Sequence, residues 1–169
     1  MGIGDSLGKP GIEIKIPNFG DRQIRTLVSD YTGTLSCGGI LVKGVSERLF
    51  RLLHLVDIHI ITADSFGTAD EQLAGIVKPR KLVEREHDRE KEAIVRGLDP
   101  KHVVGFGNGN NDRLMLQAVK EAGGLAVAID NGEGCALDTL KNCDVFIVGA
   151  INALDLLLYP TRLKATLRF

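Results

Sequence analysis

The sequence predicts an α/β fold in which helices cover both faces of a mostly parallel central sheet. Short β-branched runs such as Ile58 to Ile61 and Val103 to Phe106 alternate with segments of helical periodicity. This alternation is typical of parallel sheets. Glycine-containing turns with polar residues follow several of the runs, as they do at the carboxyl ends of strands in α/β proteins. With 169 residues, the chain has the length of one compact domain.

Two small hairpins are predicted in the first quarter of the chain. Ile12 to Ile16 alternates apolar and polar residues, and Ile24 to Ser29 can pair with it across the turn Asn18 to Asp21. We therefore expect a single domain over residues 1–169, with residues 1–24 as an N-terminal extension that contains a hairpin. The second hairpin, which we call the flap, is predicted over Ser36 to Lys43 and would project over the carboxyl edge of the sheet.

The rest of the chain predicts an alternation of helices and strands. A helix capped by Asp64 or Ser65 is expected to run through Ala74. Val77 to Val83 is ambiguous, because Pro79 forbids a regular central strand there, although Lys81 to Val83 could form a short one. The other predicted helices are Val45 to Val56, Asp88 to Leu98, Arg113 to Ala122, a helix near Cys135 to Leu140, and Ile151 to Leu158, and the other predicted strands are Ile58 to Thr62, Val103 to Phe106, Leu125 to Ile129 and Val145 to Val148.

Composition and charge argue against several classes of function. With 21 basic and 22 acidic residues, the chain has no overall field that would attract nucleic acid or an anionic membrane. No apolar stretch reaches the ~20 residues of a membrane-spanning helix. The first ten residues, Met1 to Pro10, lack the basic head and apolar stretch of a secretory signal. We expect a cytoplasmic protein.

Asp30 is the first candidate for chemistry. It follows the apolar run Thr26 to Val28 on a turn that contains Gly33, so its carboxylate is expected at the carboxyl edge of the sheet. Gly33 allows a sharp turn that presents amides to an anion, and Thr32 and Thr34 add hydroxyl groups. Taken alone, Asp30 is equally well explained as a capping carboxylate.

Three later motifs favour phosphoryl transfer. Thr62 ends a strand at the same edge, Lys91 is expected to open a helical run, and Gly107 to Asp112 forms a loop rich in oxygen ligands. A hydroxyl and a cation can hold phosphoryl oxygens, and the loop suits Mg²⁺. Separately, the three have simpler explanations: a helix cap, a solvated charge, and an Asn-Gly turn.

In this order the four motifs resemble those of the haloacid dehalogenase superfamily of phosphotransferases. They match at Asp30 to Thr34, Thr62, Lys91 and Gly107 to Asp112, and the resemblance spans about Leu27 to Val148. Within that superfamily the motifs look most like the phosphorylation domain of P-type ATPases and the small soluble P-type ATPases. The resemblance implies a Rossmann-like three-layer sandwich. Only 32 positions separate the first two motifs and 29 the next two, so we expect no large cap domain and an open site.

The resemblance also implies roles for individual residues, a Mg²⁺ cofactor and an aspartyl-phosphate intermediate. The catalytic residues would be Asp30, Thr32, Thr62 and Lys91; the substrate-binding residues Gly33, Thr34, Ala63, Asp64 and Asn111; and the metal ligands Asp30, Thr32 through its carbonyl, and Asn108 or Asp112. The expected partner is a small phosphorylated substrate or a phosphoprotein, with no nucleic acid and no membrane. An open site is also compatible with a homo-oligomer.

Two residues depart from the pattern of superfamily phosphatases. Thr32 stands where they usually carry a general acid, and Asn108 replaces the first aspartate of the metal loop. General acid catalysis typically contributes ~10²- to 10⁴-fold, so we expect slow turnover and a preference for good leaving groups. The same departures leave open a second hypothesis, a phosphate-binding regulatory domain with little activity. A response-regulator receiver is a distant third, because receivers lack the Gly33-Thr34 turn.

Overall fold

A six-stranded parallel sheet organises residues 8–169, the part of the chain that the computed structural model describes. The beginning of the predicted N-terminal extension, residues 1–7, lies outside these described residues. In chain order the strands are β1 (Ile12–Ile14), β2 (Arg22–Ile24), β3 (Thr26–Ser29), β4 (Ser36–Cys37), β5 (Ile40–Leu41), β6 (Asp57–Thr62), β7 (Arg80–Lys81), β8 (Val103–Gly107), β9 (Leu125–Asp130) and β10 (Val145–Val148).

Helices connect the strands of this sheet and cover its two faces. They are α1 (Val45–Leu53), α2 (Ala69–Gln72), α3 (His87–Arg96), α4 (Arg113–Glu121), α5 (Leu137–Lys141), α6 (Ala150–Leu158) and α7 (Pro160–Leu167), with 3-10 turns at Pro100–His102 and Asn110–Asp112. No helix within residues 8–169 has the length and apolar character needed to cross a membrane.

The order of the strands places β3 near the centre of the sheet. The order is β10-β9-β8-β3-β6-β7, and all neighbouring pairs are parallel. Ser29 at the end of β3 is in register with Ile60 of β6 and Phe106 of β8. The segments that follow these three strands therefore leave the sheet at one edge. The predicted parallel α/β fold is confirmed.

Successive residues of β3 point to opposite faces of the sheet, which gives the fold its three layers. Leu27 is fully buried in a cluster to which α1 and α6 contribute, whereas Val28 is fully buried in a second cluster with residues of α3 and α4. A buried strand of this kind is apolar on both faces, as expected in a sheet covered on both sides.

Three local features differ from the sequence predictions. The N-terminal hairpin pairs β1 with β2, so Ile12 faces Ile24, and Thr26–Ser29 joins the main sheet instead. The helix predicted from Asp64 through Ala74 is only the short α2, because Asp64 has a positive φ and the chain turns before the helix begins. Helix α7 was not predicted, although Pro160 at its first turn is a common start signal.

The flap forms as predicted, and no cap domain is present among the described residues. Strands β4 and β5 pair antiparallel through Ser36 and Leu41. Its turn contains Gly38 and Gly39, both with positive φ. Between Thr62 and α3 the chain contains only α2, β7 and short loops. The segment that could have carried a cap is therefore part of the compact fold.

Candidate active site

Asp30 lies at the centre of a buried cluster of charges. Its backbone N–H donates to Phe106 O of β8 at 3.0 Å, which fixes the chain just beyond β3. The ammonium of Lys91 lies 2.8 Å from Asp30 Oδ1 and 2.6 Å from Asp112 Oδ1. Lys91 and Asp112 are fully buried and Asp30 is 4% exposed. Although the described chain has no cap, the open site expected from the sequence is thus nearly closed at Asp30.

Lys91 reaches this cluster from the buried face of α3. It is the fifth residue of the helix rather than its first, and Val95 one turn later is also buried. Arg113 at the start of α4 pairs with Asp88 of α3 at 2.7 Å, which ties the two helices together. Two helices and the end of β3 therefore hold the lysine between its carboxylates.

Burial and the neighbouring charges together shift the pKa values in this cluster. Burial raises the pKa of Asp30 to about 6, with Lys91 opposing that effect and Asp112 adding to it. Burial alone would lower the pKa of Lys91, but the carboxylates of Asp112 and Asp30 outweigh it and the pKa is raised. One ammonium thus serves two carboxylates, and a bound cation would relieve the excess negative charge.

The second oxygen of Asp30 has a different environment. Thr34 Oγ1 lies 3.2 Å from Asp30 Oδ2 and 3.1 Å from Asn108 Oδ1. The single hydroxyl proton of Thr34 can satisfy only one of these two acceptors. The Oδ2 side of the carboxylate is therefore rich in oxygen and short of hydrogen-bond donors.

Asp112, in contrast, has a full set of donors. Its Oδ1 accepts from Lys91, and its Oδ2 accepts from the backbone N–H groups of Asn108 at 2.9 Å and Gly109 at 3.0 Å. A side-chain Cβ at Gly107 would lie 2.4 Å from the Cβ of Asp112, so this loop requires glycine at position 107. The geometry therefore favours Asn108 over Asp112 as a direct metal ligand.

Thr62 is fully buried at the end of β6. Its Oγ1 accepts from the backbone N–H of Asp64 at 2.8 Å, which leaves the hydroxyl proton available for another acceptor. The carboxylate of Asp64 forms an ion pair with Lys81 and accepts from the N–H groups of Thr68 and Ala69. Asp64 thus organises its own loop.

Thr32 and Gly33 lie between Asp30 and the flap. The hydroxyl of Thr32 is buried and has no hydrogen-bond partner among the described residues. Gly33 has a φ of +78°, and a Cβ there would lie 2.5 Å from Asn108 Nδ2 and 2.8 Å from Glu133 Oε2. Position 33 therefore needs glycine for its conformation and because two side chains approach it closely.

The predicted site residues fall into two groups. Asp30, Thr34, Lys91, Asn108 and Asp112 are linked to one another by direct contacts. Of the others, Ala63 is exposed, Asn111 is half-buried in the 3-10 turn Asn110–Asp112, and the carboxylate of Asp64 is committed to its loop. The roles assigned to the residues of both groups stay predictions.

The residues present suit a hard divalent cation. Residues 8–169 contain no group of three or more His, Cys, Asp and Glu side chains that could hold a metal ion. The candidate donors are instead Asp30 Oδ2 and Asn108 Oδ1, which lie on either side of Thr34 Oγ1, and the resemblance adds the carbonyl oxygen of Thr32. Mg²⁺ often binds through one or two carboxylates and keeps several waters, so this small set fits it.

The loop that follows β9 also borders the site, and the sequence analysis did not identify it. Glu133 Oε1 accepts from the N–H of Gly38 in the flap at 2.5 Å. Asn131 Nδ2 donates to Thr34 O at 3.3 Å. A signal was present, because this loop leaves the same edge of the sheet as Asp30 and carries polar residues after a buried strand.

Comparison of the structure with solved structures shows a common fold. The cobalt-bound deoxy-D-mannose-octulosonate 8-phosphate phosphatase of Haemophilus influenzae has a TM-score of 0.61 at 12% identity, covering 80% of this chain and 87% of that one. The corresponding phosphatase of Moraxella catarrhalis, solved with magnesium, phosphate and KDO, has a TM-score of 0.59 at 15% identity, covering 85% and 92%. The haloacid dehalogenase-like hydrolase SP0104 of Streptococcus pneumoniae has a TM-score of 0.54 at 14% identity, covering 78% and 97%.

Comparison of sequences adds a relative. The chain matches no protein-family model. It is 38% identical over 68 residues to the uncharacterized protein MJ0073 of Methanocaldococcus jannaschii, which is 40% of this chain and 69% of that protein. The likeness to P-type ATPases stays a prediction. Because the 38% identity extends over 69% of MJ0073, the chain belongs to one family with that protein, and its fold is that of the haloacid dehalogenase superfamily of hydrolases.

Proposed function

We propose that this protein is a Mg²⁺-dependent phosphohydrolase that works through an aspartyl-phosphate on Asp30. The observation that carries the proposal is the buried ammonium of Lys91, held 2.8 Å from Asp30 and 2.6 Å from Asp112. Burying a charge is costly even when it is paired, which favours a functional role for this cluster, and a lysine between two carboxylates is suited to hold phosphoryl oxygens. Solved structures that share the fold include phosphatases of a sugar-acid phosphate.

In the first step, an oxygen of Asp30 forms a bond to phosphorus while the bond from phosphorus to the leaving oxygen breaks. The leaving group keeps the electron pair of that bond and takes a proton from water. Lys91 has a third N–H beyond the two directed at carboxylates, and the hydroxyl proton of Thr62 is available. Both would donate to phosphoryl oxygens as charge spreads over them in the transition state.

In the second step, a water oxygen bonds to phosphorus and the bond between phosphorus and Asp30 breaks. Inorganic phosphate leaves and the carboxylate of Asp30 is restored. Mg²⁺, when bound, would neutralise negative charge on the carboxylate and on the phosphoryl group. Asp30, Asn108 and the carbonyl of Thr32 would hold it, while Asp112 would position Lys91 and the amides of Asn108 and Gly109.

Thr32 limits which substrates can react quickly. Its buried hydroxyl has no partner within residues 8–169 and cannot replace a carboxylic acid as a proton donor. Acyl phosphates, aryl phosphates and phosphoanhydrides need the least protonation of the leaving group, so we propose that they are preferred over alkyl phosphates. The proposal also includes a small phosphorylated molecule or a phosphoprotein as the substrate, a homo-oligomeric state and a cytoplasmic location.

A phosphatase screen tests the proposal directly. Nucleotides, acyl phosphates, aryl phosphates and sugar phosphates are assayed with Mg²⁺ and with EDTA, using wild type, Asp30→Asn and the exposed control Asp138→Asn. We expect Mg²⁺-dependent release of phosphate that only Asp30→Asn abolishes. Rapid acid quenching and mass spectrometry should detect one phosphoryl group on Asp30. Unchanged activity in Asp30→Asn would contradict the mechanism.

The second candidate function is a phosphate-binding regulatory domain. It is favoured by the 4% exposure of Asp30 and by the Thr32 hydroxyl, for which the described part of the chain supplies no partner. In that case, calorimetry would show binding of phosphate or beryllium fluoride in the presence of Mg²⁺, whereas the screen would show no turnover. Turnover that depends on Asp30 would exclude this alternative.

A further inference from the structure

Glu133 is a carboxylate beside the site that the proposed mechanism does not use. It lies in the loop between β9 and α5, at the boundary with solvent. Its Oε1 accepts from the flap amide of Gly38 at 2.5 Å. Its Oε2 is directed at the nucleophile turn, 2.8 Å from the place that a Cβ of residue 33 would occupy. One carboxylate therefore spans the flap and the turn that carries Asp30.

The loop that carries Glu133 is held firmly in place. Asp130 Oδ1 accepts from the N–H groups of Gly132 at 2.8 Å and Gly134 at 3.0 Å. Asn131 Nδ2 donates to Thr34 O, and Asn131 Oδ1 accepts from the N–H of Ala150. These contacts fix the backbone on both sides of Glu133, and the hydrogen bond to Gly38 directs its carboxylate toward the flap.

Asn108 connects this loop to the proposed metal site. Its Nδ2 donates to Gly134 O at 3.2 Å, while its Oδ1 faces Thr34. An aspartate at position 108 would have no N–H to donate to Gly134. Asn108 thus lacks the negative charge of an aspartate but holds the loop that brings the Glu133 carboxylate to the side of Gly33 that its own amide approaches.

The site is short of anionic ligands because Asp112 is fully engaged by Lys91 and two amides. On the basis of the proposed Mg²⁺ site, we propose that Glu133 supplies, from outside the direct ligands, the negative charge that Asn108 lacks. Its carboxylate contacts the flap amide of Gly38 and approaches Gly33 on the same side as the amide of Asn108, so it acts through its charge. In this proposal the ligand at position 108 is neutral, and the glutamate at position 133 carries the negative charge instead.

Metal binding measured without substrate tests this inference. Calorimetry gives the Mg²⁺ affinity of wild type, Glu133→Gln, Asn108→Asp and the double variant. Glutamine keeps an oxygen that can accept from Gly38, so Glu133→Gln removes the charge and leaves the flap contact. Glu121→Gln, at the far end of α4, is the matched control for net charge. Thermal unfolding verifies that each variant is folded.

We expect Glu133→Gln to weaken Mg²⁺ binding about tenfold, the size of effect that one unit charge has on a divalent ion several ångströms away in water. The control should match wild type. The loss should be several-fold smaller in the Asn108→Asp background, because the carboxylate introduced there carries the charge instead. The inference is overturned if Glu133→Gln and Glu121→Gln bind Mg²⁺ equally well. It is also overturned if Glu133→Gln loses the same affinity in both backgrounds, or if the wild type binds no Mg²⁺.

The outcome separates this inference from the proposed function. If Mg²⁺ affinity follows the expected pattern while Asp30→Asn does not affect phosphate release, the phosphohydrolase mechanism fails and the role of Glu133 stands. If phosphate release depends on Asp30 but Mg²⁺ affinity is insensitive to Glu133, the mechanism stands and the role of Glu133 fails.

Discussion

The two oxygens of the Asp30 carboxylate lie in contrasting surroundings. On the Oδ1 side, Lys91 and Asp112 are fully buried and every strong acceptor has a donor. On the Oδ2 side, one hydroxyl proton of Thr34 faces two acceptors, and the exposed Glu133 lies beside Gly33. In the proposed mechanism the Oδ1 side would hold the phosphoryl group, and we call it the complete half because its acceptors already have donors. The Oδ2 side would take the cation, and we call it the metal-binding half.

The largest effect on stability should come from removing the ammonium group of Lys91 from the complete half. Lys91→Met leaves Asp30 and Asp112 buried without their shared partner. Breaking a buried ion pair in this way typically costs about 3 to 5 kcal/mol. Urea unfolding should show a loss of this size, and the exposed control Lys101→Met should show almost none. A loss below about 1 kcal/mol, the range of exposed ion pairs, would mean that the cluster is solvated in solution.

Neutralising Asp30 should have the opposite sign. The pKa of Asp30 is raised to about 6 from its ordinary value of 3.8, so folding disfavours its ionised form. The folded protein binds more protons than the unfolded chain between these values, and stability falls as pH rises through that interval. Asp30→Asn should therefore stabilise the metal-free protein by about 1 to 3 kcal/mol above about pH 6, and by almost nothing below about pH 4.

Urea unfolding at several pH values measures this effect, with EDTA present and Asp138→Asn as the control. Added Mg²⁺ should stabilise wild type and reduce the advantage of the variant, because an ion that binds only the folded state shifts the equilibrium toward it. A variant less stable than wild type at neutral pH would show that Lys91 compensates both carboxylates fully, and the proposed contrast between the two halves would be wrong.

The complete half is the part that the sequence predicts well. Asp30 and Asp112 follow buried strands whose apolar patterns are clear, and in a parallel sheet such strands end at one edge. The resemblance to a known superfamily added Lys91, which pattern alone would assign to the surface, because it lies in a strongly polar helix. Its full burial depends on the packing of α3 against α4, which no local pattern encodes.

The metal-binding half could be predicted from the sequence only in part. Thr34 and Asn108 were recognised from their motifs, but the contact between Glu133 and Gly38 joins two loops 95 positions apart. Neither loop has a pattern that identifies its partner. The hairpin partner of β1 was predicted wrongly for a similar reason, since the more apolar run continues into Thr26–Ser29, whereas the strand that pairs is Arg22–Ile24, in which only Ile24 is apolar. Tertiary packing decided between them.

Crowding at Gly33 should separate steric effects from conformational ones in the metal-binding half. Gly33→Ala places a methyl group 2.5 Å from Asn108 Nδ2 at a positive φ. Gly123→Ala is a matched control, because its φ of +84° is similar and no atom of the described residues lies within 4 Å of its Cβ. The control should lose about 1 kcal/mol from the left-handed backbone alone. Gly33→Ala should lose about 1 to 3 kcal/mol more, the usual range for overpacking.

The Mg²⁺ affinity of the Gly33→Ala variant gives a second measurement. A displaced Asn108 can no longer hold its Oδ1 beside Asp30, so we expect affinity to fall while Gly123→Ala binds as wild type does. Equal stability losses in the two alanine variants would show that Asn108 and Glu133 move aside without cost. The metal-binding half would then be more adaptable than its hydrogen bonds indicate.

The smallest effect should come from the flap, which borders the metal-binding half. Gly39 O accepts from Tyr31 Oη at 2.9 Å and from Thr68 Oγ1 at 2.6 Å. Tyr31→Phe should cost only about 0.5 to 1 kcal/mol, because Gly39 O keeps one donor. Adding Thr68→Val leaves a buried carbonyl without any donor, so the double variant should lose more than the two single variants together.

Hydrogen exchange at Gly38 shows whether this anchor restrains the flap turn beside Glu133. Its amide donates to Glu133, so protection should fall little in Tyr31→Phe and strongly in the double variant. Unchanged protection in the double variant would mean that Glu133 alone holds the flap. In that case the loop that carries Glu133 would anchor the metal-binding half by itself. Tyr31, next to Asp30, would then contribute only to packing.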